Sequence, residues 1–326
     1  SGLDTTNIYS LAINSSGDIF AGTKSRGLFR STDNGNSWTN LGFPNAWIHG
    51  NGIAISPADE ILLALDNTDA TGGVLRSTNN GTSWETLGLT FNAEIAIALN
   101  ASGHIFAGTA AQGVYRSTDN GLNFVQINQG LGTTGLNPTS FTINTSDDIF
   151  VGTVSGGVFR STDNGNNWVQ INNGITNIQI LSLANKNGYI FAGTSGGGAF
   201  RSTDNGANWV QINQGLAGEG LYIWSLAINS SGDIFAGTAD GVFRSTDDGV
   251  NWVQINQGLT STGVLSLAIN SNGVLFAGTL DGVFQSVISA NLKVYLQGPF
   301  AGGGLMTTTL NTNNLIPLNS NTAYST

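Results

Sequence analysis

Residues 160–172, RSTDNGNNWVQIN, place a guanidinium (Arg160), two hydroxyls (Ser161 and Thr162), a carboxylate (Asp163), a glycine turn and an indole (Trp168) within thirteen positions. These are the residue types of an active site. A catalytic group is needed once, in one cleft, and this stretch is not alone. Arg-Ser-Thr recurs at Arg30, Arg76, Arg116, Arg160, Arg201 and Arg244, and a degenerate seventh copy, GVFQSV, carries Gln285 in the arginine position. Successive copies lie 46, 40, 44, 41, 43 and 41 residues apart. Six equivalent copies point to a structural task. Asp accepts N–H bonds across its own turn, Gly supplies a positive φ, and Trp buries a large ring worth about 1.5–3 kcal/mol.

The elements that must hold these residues follow from the rest of the unit. Each copy reads SLAINSSGDIFAGT, a short gap, GVFRSTDNG, then NWVQIN and a variable loop. Segments such as Leu11-Ala12-Ile13 and Ile19-Phe20-Ala21 have the pattern of strands buried on both faces, and SSGD and TDNG supply turns. The unit therefore holds four strands: A (YSLAIN), B (DIFAGT), C (GLFRST) and D (SWTNL). Four strands in 40–45 residues, repeated seven times, predict an all-β fold: a seven-bladed β-propeller of four-stranded antiparallel blades, with an open solenoid as the alternative. The propeller covers 1–287, and 288–326 forms a further short β segment.

The turn between C and D reads Ser-x-Asp-x-Gly-x-x-Trp at Ser31–Trp38, Ser161–Trp168, Ser202–Trp209 and Ser245–Trp252. Asn79 replaces Asp in Ser77–Trp84, and Phe124 replaces Trp in Ser117–Phe124. This motif resembles the Asp-box, or bacterial neuraminidase repeat, of propellers such as sialidases, sortilin-type receptors, xyloglucan-cleaving glycosidases and photosystem-assembly factors. The resemblance implies architecture rather than activity, since enzymes and non-enzymes share it. It gives Asp33, Asp119, Asp163, Asp204 and Asp247, with Trp38, Trp84, Trp168, Trp209 and Trp252, a structural role. Sialidase chemistry, as the family implies it, needs three arginines on one carboxylate. Six of the seven arginines here belong to six different blades, and only Arg26 is off the repeat.

Function is expected where the copies differ. In a propeller the D–A and B–C connections share one face. The A–B turn positions Asp18, Asp148 and Asp233, with Glu60 and His104 substituting, belong to the repeat, as do Asp240 and Asp281 in short B–C turns. What remains is a long B–C loop in blade 2 with Asp66 and Asp69, and D–A loops carrying Phe43, Trp47, His49, Phe91, Glu94, Glu219, Tyr222 and Trp224. Trp47, His49, Asp66, Asp69, Glu94, Glu219, Tyr222 and Trp224 are the candidate binding residues. Aromatics beside acids would stack on sugar rings and bond their hydroxyls, or else the two tryptophans plug gaps between unequal loops. A glycosidase needs two carboxylates roughly 5–10 Å apart, for which Asp66 or Asp69 with Glu94 is the nearest pairing. Two unrelated histidines and turns poor in oxygen ligands give no metal site, and no motif calls for a cofactor.

Composition narrows the partners. Ten basic groups against twenty acidic ones give a net charge of −10, which repels phosphate backbones and anionic lipid and argues against nucleic acid. No apolar run is long enough for a membrane span, and the absence of cysteine removes disulfides. The start SGLDTTNIYSLAIN matches QGLTSTGVLSLAIN inside the chain, where a D strand precedes it, so both ends read as cut. Blade 7 lacks the Ser-x-Asp turn; either residues 287–297 or a strand from outside fills its fourth place. The stretch 292–326 resembles a segment near the C-termini of large secreted surface proteins of Bacteroidota type that leave by type IX secretion, with Phe300 where tyrosine is usual. The leading expectation is a non-catalytic extracellular or cell-surface propeller, a binding or structural module with a protein or glycan partner on its loop face. Self-assembly through the incomplete seventh blade and residues 288–326 is a variant of it. The alternative is a polysaccharide-acting glycoside hydrolase, and a sensor ectodomain or assembly factor follows from the resemblance alone.

Overall fold

The second strand of each unit dictates the layering. Ile149–Thr153 is buried at all five positions, which only a strand with neighbours on both edges and sheets on both faces achieves. The structure, a computed structural model, describes residues 3, 6–66, 72–90, 95–288 and 294–297.

Seven four-stranded antiparallel sheets follow one another in chain order. Blade 1 is β1 (Ile8–Ile13), β2 (Ile19–Thr23), β3 (Leu28–Ser31) and β4 (Thr39–Asn40). Blade 2 is β5 (Ile53–Ile55), β6 (Ile61–Leu65), β7 (Gly73–Ser77) and β8 (Glu85–Thr86). Blade 3 is β9 (Ile95–Leu99), β10 (Ile105–Thr109), β11 (Gly113–Ser117) and β12 (Val125–Gln126). Blade 4 is β13 (Pro138–Ile143), β14 (Ile149–Thr153), β15 (Gly157–Ser161) and β16 (Val169–Gln170). Blade 5 is β17 (Ile180–Lys186), β18 (Tyr189–Thr194), β19 (Ala199–Ser202) and β20 (Val210–Gln211). Blade 6 is β21 (Ile223–Ile228), β22 (Ile234–Thr238), β23 (Gly241–Ser245) and β24 (Val253–Gln254). Blade 7 is β25 (Val264–Ile269), β26 (Leu275–Thr279), β27 (Gly282–Ile288) and β28 (Val294–Gln297).

First strands pack against the first strands of neighbouring blades around an axis, and β1 packs on β25. The ring is therefore closed, which excludes the open solenoid. The core is divided among the blade boundaries. Phe150 and Val158 of blade 4, for example, bury against Ile180, Ile190, Phe200 and Trp209 of blade 5. The glycine of each AGT segment makes that approach close: a Cβ on Gly152 would stand 2.5 Å from the Ile180 side chain, and one on Gly278 would stand 2.6 Å from that of Ile8.

Two expectations are modified. The fourth strands of blades 3–6 are two-residue ladders rather than five-residue strands. A side chain continues each ladder: Asn172 Oδ1 accepts from Val158 N–H at 2.8 Å, and its Nδ2 donates to Gly156 C=O at 2.8 Å. The fourth place of blade 7 is partly taken by β28, paired from Gln285↔Gln297 to Ile288↔Val294. The rest of the 288–326 segment lies outside the described residues, apart from Ile288 at the end of β27.

Candidate functional site

In every Ser-x-Asp-x-Gly turn the serine hydroxyl is a hub. Ser161 Oγ donates to Asp163 Oδ1 at 2.8 Å and accepts from Gly165 N–H at 2.8 Å. Asp163 Oδ1 also accepts from Asn167 N–H at 2.8 Å, and Oδ2 from Asn167 Nδ2 at 2.7 Å. Asn164 (φ 62°) and Gly165 (φ 84°) are both left-handed, which explains why the turn ends in Asn-Gly. Asp33, Asp119, Asp204 and Asp247 make the same bonds, and Asn79 Oδ1 substitutes in blade 2. Both oxygens of each carboxylate are occupied by the turn.

These bonds hold the carboxyls below their ordinary range. Asp119 is lowered to about 2, chiefly by the Asn123 backbone N–H, then by its side chain and by Ser117. Asp33, Asp163, Asp204 and Asp247 are lowered as well, Asp163 first by the Asn167 side chain. A depressed pKa contributes stability that is present above the unfolded value of about 3.9 and lost as pH falls through the folded value. The melting temperature should therefore change little between about pH 7 and pH 5 from this source, then fall between about pH 4 and pH 2. Asp119→Asn should flatten part of that fall in scanning calorimetry. An unchanged acid slope would contradict the assignment.

The arginines and tryptophans fasten blades. Arg30, Arg160 and Arg244 pair with Asp18, Asp148 and Asp233 at 2.7, 2.6 and 2.5 Å. Arg30, Arg116 and Arg201 also donate to the turn carbonyls of Asn80, Asn164 and Asp248 in the following blade. His104 occupies the acid's place in blade 3 and meets the Asn164 side chain at 3.2 Å. The indole N–H groups of Trp168, Trp209 and Trp252 cross to the preceding blade, donating to Ile127, Ile171 and Ile212 C=O at 2.7, 2.7 and 2.8 Å. Trp38 and Trp84 are only half-buried and bond within their own turns, to Gly35 and Gly81 C=O at 3.0 and 3.1 Å.

Off-repeat residues gather on the loop face at the boundary of blades 1 and 2. Trp47 bridges Lys24 on one side and Asp66 on the other as isolated β-pairs. Its ring stacks on His49 (centroids 4.0 Å apart, 23° between planes), lies 4.2 Å from Lys24 Nζ and meets Tyr9 edge-on at 5.6 Å. His49 Nε2 stands 3.7 Å from Asp66 Oδ2, an attraction realised when the imidazole is protonated. The Trp47 indole N–H is buried with no acceptor among the described residues. The sequence pattern marked Trp47, His49 and Asp66; it missed Tyr9, Lys24 and Asn51. Lys24 was visible as the one cation directly after the second-strand threonine, where the other blades carry Asp66, Ala110, Val154, Ser195, Ala239 and Leu280.

Backbone irregularity sets this geometry. First strands bulge at Tyr9, Thr139, Leu181, Trp224 and Leu265, each next to the end of a second strand. Trp224 is thus a bulge residue within β21, not part of a D–A loop as expected. In blade 2 a turn, His49-Gly50-Asn51, stands in place of the bulge, closed by Gly52 N–H on His49 C=O at 3.0 Å. Asn51 reaches past blade 3 to donate to Thr139 C=O at 3.0 Å, and its own carbonyl accepts from Ile97 N–H.

Glu219, within a 3-10 turn at Gly218–Leu221, and Tyr222, directly after it, lie at the boundary of blades 5 and 6; Tyr222 is 40% exposed and bridges Ser195. The two aromatic groups are therefore on one face but at different boundaries, and Asp66 and Glu219 are not brought together. Asp69 and Glu94 lie outside the described residues, as does Phe91. A depression of about 470 Å³ lies on the opposite face between the A–B turns of blades 1–3, over Ile13, Ile55, Pro57 and Leu99. Its one acid, Asp59, is bonded by the backbone N–H and hydroxyl of Ser15. Among the described residues no three His, Asp or Glu side chains cluster as metal ligands, and no helix is long and apolar enough to cross a membrane.

No family model matches the chain, and no curated protein matches it in sequence. Solved structures do match in fold. The extracellular domain of a putative one-component system from B. thetaiotaomicron has a TM-score of 0.72 at 19% identity, over 88% of this chain and 39% of that one. A GH74 xyloglucanase from Xanthomonas campestris has 0.73 at 17%, over 91% and 55%. YCF48 bound to a D1 peptide has 0.67 at 15%, over 88% and 94%. The chain spans less than two thirds of the first two proteins. A xyloglucanase, an extracellular domain and a peptide-bound protein thus share this fold.

Proposed function

We propose that the chain is a non-catalytic Asp-box propeller of an exported, cell-surface or secreted protein, serving as a binding or structural module through its loop face. One observation carries this reading. Repeat-position acids and arginines are largely engaged in turns and blade boundaries, while the off-repeat cation, aromatics and His–Asp contact collect around Trp47. Among the described residues Lys24 and Arg26 have no carboxylate partner, in a chain of net charge −10. The buried Trp47 indole N–H has no acceptor among the described residues, which leaves it available to a partner's oxygen or to water. The partner favoured by this chemistry presents an anionic group, a carboxylate or sulfate, beside an apolar or ring surface. The extracellular sensor domain supports the location by analogy, and the tail's likeness to type IX-secreted proteins supports it independently of the fold.

Acidic and neutral glycan arrays, with pull-downs of cell-surface material, test the reading. Binding should favour acidic partners, weaken as salt rises, and fall at least about ten-fold in Lys24→Glu or Trp47→Ala. Equal capture of neutral and acidic partners by both variants would remove it. Polysaccharide turnover lost in Asp66→Asn would replace it with the hydrolase reading, which the likeness to a xyloglucanase keeps as the competitor.

A further inference from the structure

Blades 3–6 show what completes a blade. The outer strand of blade 6 pairs Gln254 with Phe243 and Val253 with Arg244. The next residue, Ile255, donates its N–H to Val242 C=O at 2.8 Å, and Asn256 Oδ1 accepts from Val242 N–H at 2.8 Å. Gln254 and Asn256 both donate to Asp240 C=O in the B–C turn, at 2.8 and 2.6 Å. The incoming Val-Gln-Ile-Asn segment thus consumes every outward backbone group at the start of the third strand. Blades 3, 4 and 5 repeat this arrangement at Val114, Val158 and Ala199.

Blade 7 offers the same receptor without the segment. Val283 pairs with Gly278 as Val242 pairs with Gly237, and Asp281 stands where Asp240 does. Its fourth strand, β28, engages β27 lower down, from Gln285 to Ile288. Among the described residues nothing bonds the outward N–H and C=O of Val283. Continuing the β28 register would set position 299 opposite Val283, and Pro299 has no N–H to give its carbonyl. In that register the sequence supplies no donor to the Val283 carbonyl.

Trp38 lies beside this edge and, like Trp84, follows a blade that lacks the Val-Gln-Ile-Asn segment; both indoles bond within their own turns. Wherever the preceding blade ends in Val-Gln-Ile-Asn, the following indole crosses to the isoleucine carbonyl, as Trp168, Trp209 and Trp252 do. The blade before Trp38 is blade 7, and its indole turns back to Gly35. We infer that the edge of β27 at Gly282–Gln285 is a docking site for an extended peptide segment of the Val-Gln-Ile-Asn type. The segment runs antiparallel to β27, displacing Gln297 from Gln285, and its isoleucine carbonyl receives the Trp38 indole N–H. This site is separate from the loop face and stands whether or not that face binds a partner.

The test uses a fluorescein-labelled synthetic peptide with the sequence of residues 251–258, NWVQINQG, titrated with the full chain and read by anisotropy. Saturable binding is expected. A peptide with proline in place of the isoleucine, or alanine in place of the asparagine, should bind at least ten-fold more weakly. Trp38→Phe should weaken the native peptide several-fold with an unchanged circular dichroism spectrum. The proposal is overturned if the native peptide does not bind, or if the proline peptide binds equally well.

Discussion

Replacing Trp209 with alanine is expected to lower the unfolding free energy by about 3–5 kcal/mol. The ring is 4% exposed and packs with Phe150, Val158 and Phe200 across the boundary of blades 4 and 5. Two hydrogen bonds also cross there: the indole N–H to Ile171 C=O at 2.7 Å and the backbone N–H to Asn173 C=O at 2.8 Å. The first is lost with the side chain, leaving the Ile171 carbonyl without that donor. Trp38→Ala should cost about half as much, because its ring is half-buried and its indole bond stays within its own turn. Urea denaturation of the two variants, read as midpoint shifts, decides it. Equal shifts would mean that the indole acts only on its own turn.

Gly174→Ala should destabilise by about 2–5 kcal/mol, the sum of left-handed strain and an overpacked contact. Gly174 has φ 94°, and a Cβ there would stand 2.1 Å from the Trp209 carbonyl oxygen, a backbone atom that cannot swing away. Gly17→Ala is the matched control. Its φ is 86°, yet a Cβ would meet nothing within 4 Å, so about 1–2 kcal/mol of strain is all it should show. Thermal melts of both variants separate conformational strain from blade-to-blade collision. A Gly174→Ala protein as stable as Gly17→Ala would show that blades 4 and 5 can part without loss.

The fold was legible because one unit is written seven times. Strand B, the Asn-Gly turn and the Trp position recur at spacings that only a ring of sheets satisfies, and each copy checks the others. The outer strands were less legible. WVQIN reads as five strand residues, whereas Val169 and Gln170 form the ladder and Asn172 completes it with a side chain, a substitution that β-propensity does not encode. Of the loop-face residues, Trp47, His49 and Asp66 meet, while Tyr222 lies at another boundary and Trp224 is a strand bulge. Their types are local information; their meeting depends on a turn at His49-Gly50-Asn51 whose bonds run to blades 3 and 4.

RSTDNGNNWVQIN by itself determined its turn. The bonds from Ser161 and Asp163 to Gly165 and Asn167 all fall within a few residues, so local sequence is sufficient to specify them. Where the indole of that motif goes was decided only by the tertiary structure. Trp168 and Trp38 occupy the same repeat position, yet one bonds across a blade boundary and the other turns back on itself. The indole crosses where the preceding blade ends in Val-Gln-Ile-Asn, at Trp168, Trp209 and Trp252, and turns back where it does not, at Trp38 and Trp84, so the deciding strand lies in another blade.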